Sequence, residues 1–427
     1  TPTTRELGLG PLGYASRYGV EVVHNKSNEP VRIRIPGVRE EGANMSFEYI
    51  KHKKIKEYKL AKEIGRVPSS VVELNPEQEA RAKELHQNSI VIDFHSHPVL
   101  MPEDMSEFVD YSRRGRYHTG YEGLKKAGLT ACLDGMGSLA YMSAMAGWQF
   151  EDMVFDLGMR FSDFDHHRDE VIIGRFAEDI GRAKKEGKVA IIPHIENAGA
   201  IGNYLDRIDV LYGLGYRCMG LTYNDSNWIG GGRTEKEKTG LSHFGRDVVG
   251  RMNDLGVLID LAHSNDAAIL ETVEVSEAPC VTTHDCAYSV NQSPRCKSDQ
   301  ILKAIADKEG VIGVEAVPNV LSTKPKQGIE DMLDHMEHMV KVAGIDHVAM
   351  GLDTLFGDHV GLHKEIMVFI DLSRMLPEFP TEYMDGIENP SETPNVTRGL
   401  VKRGYSDEEI KKLIGGNVLR IFEEVVG

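Results

Sequence analysis

The sequence predicts an α/β chain of the (β/α)8, TIM-type barrel class with an N-terminal extension. Three observations lead there. From Ile90 onward, short β-rich apolar runs alternate with longer amphipathic stretches. Eight such runs can be marked, at 90–94, 129–134, 188–195, 216–222, 256–262, 279–283, 310–316 and 347–352. Run after run ends in a polar residue able to bind a metal, and the C-terminal ends of its strands are where a barrel assembles its site. An open doubly wound sheet is the alternative arrangement of the same elements.

Helical stretches separate the runs, among them 150–160, 174–186, 245–255, 266–275, 298–307 and 328–343. The division expected is an arm over 1–88 packed on a barrel over 89–427. Within the arm, Gly19–Val23 and Val31–Ile35 read as the strands of a small hairpin around the polar Asn25–Asn28. Lys51–Lys59 reads as a solvated helix. Asn75-Pro76-Glu77-Gln78 is a helix start, with Asn as N-cap, Pro at the first position and Gln at the third.

Composition narrows the function. A chain of 427 residues that is 41% apolar has material for a large core. A net charge of −17 argues against nucleic acid and anionic membrane as partners. No apolar run reaches the roughly 18 residues of a transmembrane helix. Five cysteines without CxxC spacing read as buried free thiols. A cytoplasmic protein is the favoured expectation, although a leader trimmed before Thr1 would leave no trace here.

The site is read from the strand ends. Val91-Ile92-Asp93-Phe94-His95-Ser96-His97 places two histidines at i and i+2, on one side of a strand. The run at 188–195 leads into Glu196. Gly256–Ala262 leads into His263, Pro279–Thr283 into His284, and Val348–Leu352 into Asp353. Each histidine alone reads as a satisfied core or loop residue. Together, at one rim, they read as a two-metal site. His95 and His97 would hold one ion, His263 and His284 the other, with Glu196 as the bridge. Asp353 reads as a proton shuttle or an anchor for a substrate ammonium, its plainer alternative being a helix cap. His335 and His338 read as part of a solvated helix face, and His359 and His363 stay unassigned. Gly230-Gly231-Gly232 lacks the Lys-Ser/Thr of a phosphate loop and reads as a flexible loop near the site.

These residues resemble the membrane (renal) dipeptidase family of zinc peptidases. The resemblance is carried by Gly240–Gly245, Val248–Asn253, Gly256–His263, Ser276–Pro279 leading to Thr283-His284, Met350–Asp353 and Gly415–Phe422. It covers roughly 88–425. It implies a (β/α)8 barrel, two zinc ions, hydrolysis of dipeptides and a homodimer. It also implies Arg295 as a contact to the substrate, and Asp353 as the acid that meets the substrate amine.

Two departures stand out. The family's His-x-Asp on the first strand is His95-Ser96-His97 here, which makes the site one unit more positive and favours nitrogen-preferring ions. The family's Leu-Thr-His appears as Leu221-Thr222-Tyr223-Asn224, so Tyr223 or Asn224 would supply the hydrogen bond to the substrate or oxyanion. The resulting expectation is a binuclear metallohydrolase in which a metal-bridging hydroxide attacks a small peptide-like amide. A non-peptide amide or lactone on the same site is the second expectation, and a non-catalytic metal-binding scaffold the third.

Overall fold

Strand β1, Ile92–Leu100, is the seam of the architecture. The computed structural model describes residues 21–22, 33–34, 56–114, 118–138, 149–370, 376 and 378–427. After β1 come β2 (Ala131–Gly135), β3 (Val189–Ile195), β4 (Cys218–Gly220), β5 (Leu258–Asp260), β6 (Cys280–Asp285), β7 (Ile312–Val314) and β8 (Val348–Met350). Each pairs in parallel with the next around the curve. These match the eight runs expected from the sequence.

Closure comes from a split last strand. Past Met350 the chain kinks at Asp353, whose φ of 52° lies in the left-handed region. It then resumes as β9, Leu355–Phe356, which pairs in parallel with β1. The Asp353 amide donates to the His95 carbonyl at 2.8 Å, and His97 N–H donates to the Thr354 carbonyl at 2.9 Å. The eighth strand thus bonds β7 with its first half and β1 with its second, and the result is a mixed α/β barrel of the TIM type. Pairing with β9 also explains why β1 runs to Leu100 and does not stop at the histidines.

Amphipathic helices surround the sheet, as their apolar periodicity requires. The core joins strand residues Ile92, Leu133, Ile192 and Val281 to Val418, Ile421 and Phe422 of the last helix, Asn417–Val425. Burial of a side chain such as Phe422 is worth about 1.5–3 kcal/mol. Gly415 lets the chain before that helix pass close to β1, since a Cβ there would lie 2.5 Å from the Ile90 carbonyl oxygen.

The chain divides into two units, residues 1–55 and 56–427. In the first, Glu21–Val22 pairs antiparallel with Ile33–Arg34, in line with the expected hairpin. In the second, Asn75 caps helix Pro76–Asn88 with the reciprocal Gln78 contact foreseen. His86 fastens this helix through Thr397 Oγ1 (2.7 Å) and the Ala127 carbonyl (2.8 Å). The lysine-rich helix is not borne out where it can be followed. Lys56–Lys59 is non-helical, and Lys56 Nζ is drawn to Glu107 (2.9 Å) and Asp110 (3.0 Å); residues 51–55 lie outside the described residues.

Three further expectations are corrected. Cys286 and Cys296 form a disulfide, because the loop after β6 folds back and brings their Cα atoms to 4.5 Å; Cys132, Cys218 and Cys280 are the buried free thiols. His335 is buried, not solvated: it accepts the Ala287 amide at Nδ1 and meets the Leu321 carbonyl at Nε2. The triple glycine is packed, not loose, since a Cβ on Gly231 would lie 2.1 Å from Asn265 Nδ2.

Candidate metal centre

The barrel brings the five expected ligands together. His95 and His97 project from β1 to the same side, with their Nε2 atoms 3.3 Å apart. Glu196 stands one residue beyond β3, His263 three beyond β5, and His284 is the penultimate residue of β6. The Nε2 atoms of His263 and His284 lie 3.0 Å apart. Glu196 Oε1 sits between the pairs, 3.4 Å from His95 Nε2 and 3.7 Å from both His263 and His284 Nε2. Three overlapping groups result, His95–His97–Glu196, His95–His284–Asp353 and Glu196–His263–His284, each with donor atoms within 4.8 Å of one another. Asp353 Oδ1 closes the rim at 3.4 Å from His97 Nε2 and 3.6 Å from His95 Nε2.

The ring nitrogens facing away from the cluster show whether this set suits metal ions. His263 Nδ1 lies 3.1 Å from Asn224 Oδ1, His284 Nδ1 2.9 Å from Thr283 Oγ1, and His95 Nδ1 3.0 Å from His194 Nδ1. Hydrogen bonds at Nδ1 leave the Nε2 lone pairs directed inward, which is how imidazole ligands are held in metal sites. The donor set therefore fits divalent ions of the kind that nitrogen and carboxylate ligands bind.

Electrostatics agree for His263, His284 and Glu196, whereas His97 must release a proton to bind an ion. Burial, aided by the nearby Arg295 charge, keeps His263 and His284 well below the usual imidazole range, so both are neutral donors. Burial alone would raise Glu196, but contact with His95 and the charge of His97 hold it at about 2. Burial would lower His97, yet Asp353, Glu196 and Asp134 carry it up to about 9. Asp353 is held at about 2 by His97 and His95 against the effect of burial.

A family match decides what this barrel is. The model of the membrane dipeptidase family, peptidase family M19, matches residues 79–364 and 378–426. The chain belongs to that family. It is 25% identical over 372 residues to the dipeptidase tcpJ of Claviceps purpurea, a match spanning 86% of this chain and 81% of the relative. An amidohydrolase structure from Pseudomonas aeruginosa superposes with a TM-score of 0.68 at 28% identity, covering 81% of this chain and 99% of that one. The probable dipeptidase PvdM from Pseudomonas aeruginosa gives 0.65 at 22% identity, covering 82% and 99%, a likeness of fold.

The remaining expected residues lie against this centre. The Tyr223 ring stacks on His263 with centroids 4.0 Å apart. Asn224 spends its side-chain oxygen on His263 Nδ1, and its NH2 remains a donor. Arg295 is buried beneath the rim. Its Nη1 donates to the Ala262 carbonyl (3.0 Å) and Asp285 Oδ1 (2.8 Å). Its Nη2 donates to the His284 carbonyl (2.7 Å) and lies 3.2 Å from Glu315 Oε2. Both arms of its fork are thus engaged within the protein.

Several contributors were missed in the sequence. Ser138 donates to Glu196 Oε2. His194 meets His95 at Nδ1, Thr283 meets His284 at Nδ1, and Asp260 accepts the Thr283 hydroxyl. Lys297 is buried with Nζ donating to the Ala262 (2.6 Å) and Ser264 (3.2 Å) carbonyls. A signal did exist for Asp260: an acid inside the apolar run Val257-Leu258-Ile259-Asp260-Leu261 must be paid for by partners.

Proposed function

We propose that this chain is a binuclear, zinc-dependent hydrolase cleaving the amide bond of a dipeptide or similar small peptide-like substrate. The observation that supports this best is the convergence of His95, His263 and His284 Nε2 on one Glu196 oxygen within 3.7 Å, in a dipeptidase-family barrel. Imidazole and carboxylate donors suit zinc. When bound, a pair of divalent ions supplies an acidified water and polarises the scissile carbonyl.

The chain's own residues do the rest. His95 and His97 would hold one ion and His263 and His284 the other, with Glu196 within reach of both pairs. The ionised Asp353 carboxylate orients the free amine of the substrate or passes a proton toward the leaving nitrogen. Tyr223, braced against His263, offers its hydroxyl where charge develops on the carbonyl oxygen. Arg295 contributes fixed positive charge from behind His284. The homodimer implied by the family resemblance belongs to the same reading and is checked by light scattering.

The test is metal analysis joined to a dipeptide panel. Two zinc ions per chain and dipeptide turnover are expected, with His263→Ala losing the second ion and nearly all turnover. Full activity in that variant would exclude the site. One observation favours a second reading. Arg295 has both arms of its fork engaged and Glu315 beside it, which suits a substrate lacking a free carboxylate, such as a neutral amide or lactone. A panel in which N-acyl amides or lactones turn over and dipeptides do not would select it.

A further inference from the structure

Both halves of the metal centre lead back to one side chain. Asp260 ends β5 with its carboxylate almost wholly buried. Its Oδ1 accepts the Ala262 amide at 3.0 Å and the Thr283 amide at 2.9 Å. Its Oδ2 accepts the Thr283 hydroxyl at 2.8 Å. The same Oδ2 lies 3.2 Å from His194 Nε2, an ion-pair contact outside hydrogen-bond geometry, and among the described residues His194 Nε2 has no hydrogen-bond partner.

Two chains of proton placement follow from these distances. An ionised carboxylate only accepts. The negative charge of Asp260 at 3.2 Å favours the His194 proton on Nε2, which leaves a bare Nδ1 to receive His95 Nδ1–H across 3.0 Å. His95 Nε2 is left as a lone pair turned into the cluster, where His97 Nε2 lies 3.3 Å away. On the other branch, Thr283 gives its hydroxyl proton to Asp260, so its oxygen receives His284 Nδ1–H across 2.9 Å. His284 Nε2 is likewise left bare. Burial works against the charge on Asp260, but the contacts with His194 and Thr283 outweigh it.

We infer that Asp260 is the shared positioning residue of the centre, setting the tautomer of one ligand in each half: His95 through His194 and His284 through Thr283. The inference rests on the metal-site reading above for its consequence, but the proton arrangement itself is a property of this chain alone.

Asp260→Asn is the direct test, because an amide cannot satisfy all these contacts. With its NH2 toward Oδ1 it would confront two backbone N–H donors. With its NH2 toward Oδ2 it would donate to His194 and Thr283 and reverse both chains, placing an Nε2–H on His95 and His284. Zinc titration of the stripped protein should show affinity falling about 10–100-fold at both half-sites, the loss typical when a ligand's outer partner is removed. Thr283→Val keeps the shape but cuts one branch, so only the ion assigned to His263 and His284 should bind more weakly, while Thr283→Ser restores it.

Imidazole 15N shifts of the metal-stripped wild type supply a readout that no loaded enzyme is needed for. His95 and His284 should both appear as Nδ1–H tautomers. If the wild type shows those tautomers but takes up no zinc, the metal-site reading fails and the positioning role stands. If the wild type binds zinc while Asp260→Asn and Thr283→Val bind it as tightly, the positioning role is overturned and the reading survives. Nε2–H tautomers in the stripped wild type would overturn it as well.

Discussion

Gly135 leaves the space into which the His97 ring turns. A Cβ at Gly135 would stand 2.5 Å from His97 Cε1 and 3.0 Å from His95 Cε1, so both imidazoles of β1 pack on the bare backbone end of β2. Gly135→Ala should displace His97 and lower zinc affinity and turnover at least tenfold, at an overpacking cost of about 1–3 kcal/mol. Zinc content and thermal melting separate the two effects. Unchanged zinc content would remove His97 from the ligand set.

Asp353 occupies a strained position, and its geometry makes a separate prediction. The left-handed backbone at φ 52° is one that Asp tolerates better than most residues. It turns the carboxylate toward His97 at 3.4 Å. Asp353→Asn keeps the shape and removes the charge. Turnover should fall about 10²–10⁴-fold, the range for a positioned acid or base, with metal content intact. Turnover equal to wild type would end its catalytic role.

The sequence reached the barrel and its rim because both are written in local signals. Apolar runs of strand length, spaced by amphipathic helices, betray the eight strands whatever their partners. His263, His284 and Glu196 were legible because each follows such a run directly. The split of the last strand was not legible, because it depends on a backbone kink at Asp353 that β1 stabilises from across the seam. Nor was the disulfide, since Cys286 and Cys296 carry no motif and meet only once the loop folds back. Asp260 was hidden for the same reason: its partners His194 and Thr283 lie on other strands. Tyr223 and Asn224 were found by their place in a motif, and their contact with His263 emerged only from the folded rim.

Glu315 makes stability fall as pH rises. It follows β7 immediately, and burial lifts its carboxyl to about 8, with Arg295 only partly opposing that. Unfolding returns it to the ordinary value of 4.5. Between those values the native state binds more protons than the unfolded one, so ∂ΔG/∂pH is negative. The stability contributed by the protonated form is complete below about 4.5 and is lost as pH climbs through about 8. Glu315→Gln should abolish this slope, making the variant more resistant to urea than wild type at pH 8.5 relative to pH 5.5. Parallel profiles for the two proteins would show that Glu315 titrates normally.

The Cys286–Cys296 bond encloses the loop that delivers Arg295. Lys297 N–H donates to the Cys286 carbonyl at 2.7 Å and Tyr288 N–H to the Lys297 carbonyl at 2.8 Å, so the loop's ends are registered by backbone as well as by sulfur. Closing so short a loop in the unfolded chain is worth about 3 kcal/mol by chain entropy. Such bonds persist in oxidising compartments, which weighs against the cytoplasmic placement favoured on sequence. Denatured, unreduced protein should titrate three thiols, those of Cys132, Cys218 and Cys280, and five after reduction. Cys286→Ser with Cys296→Ser should lower unfolding free energy by about 3 kcal/mol and loosen Arg295 from the His284 carbonyl, reducing turnover more than zinc content. Five thiols titrating without reductant would mean that the backbone bonds alone hold this loop, and the paired substitution would then leave stability nearly unchanged.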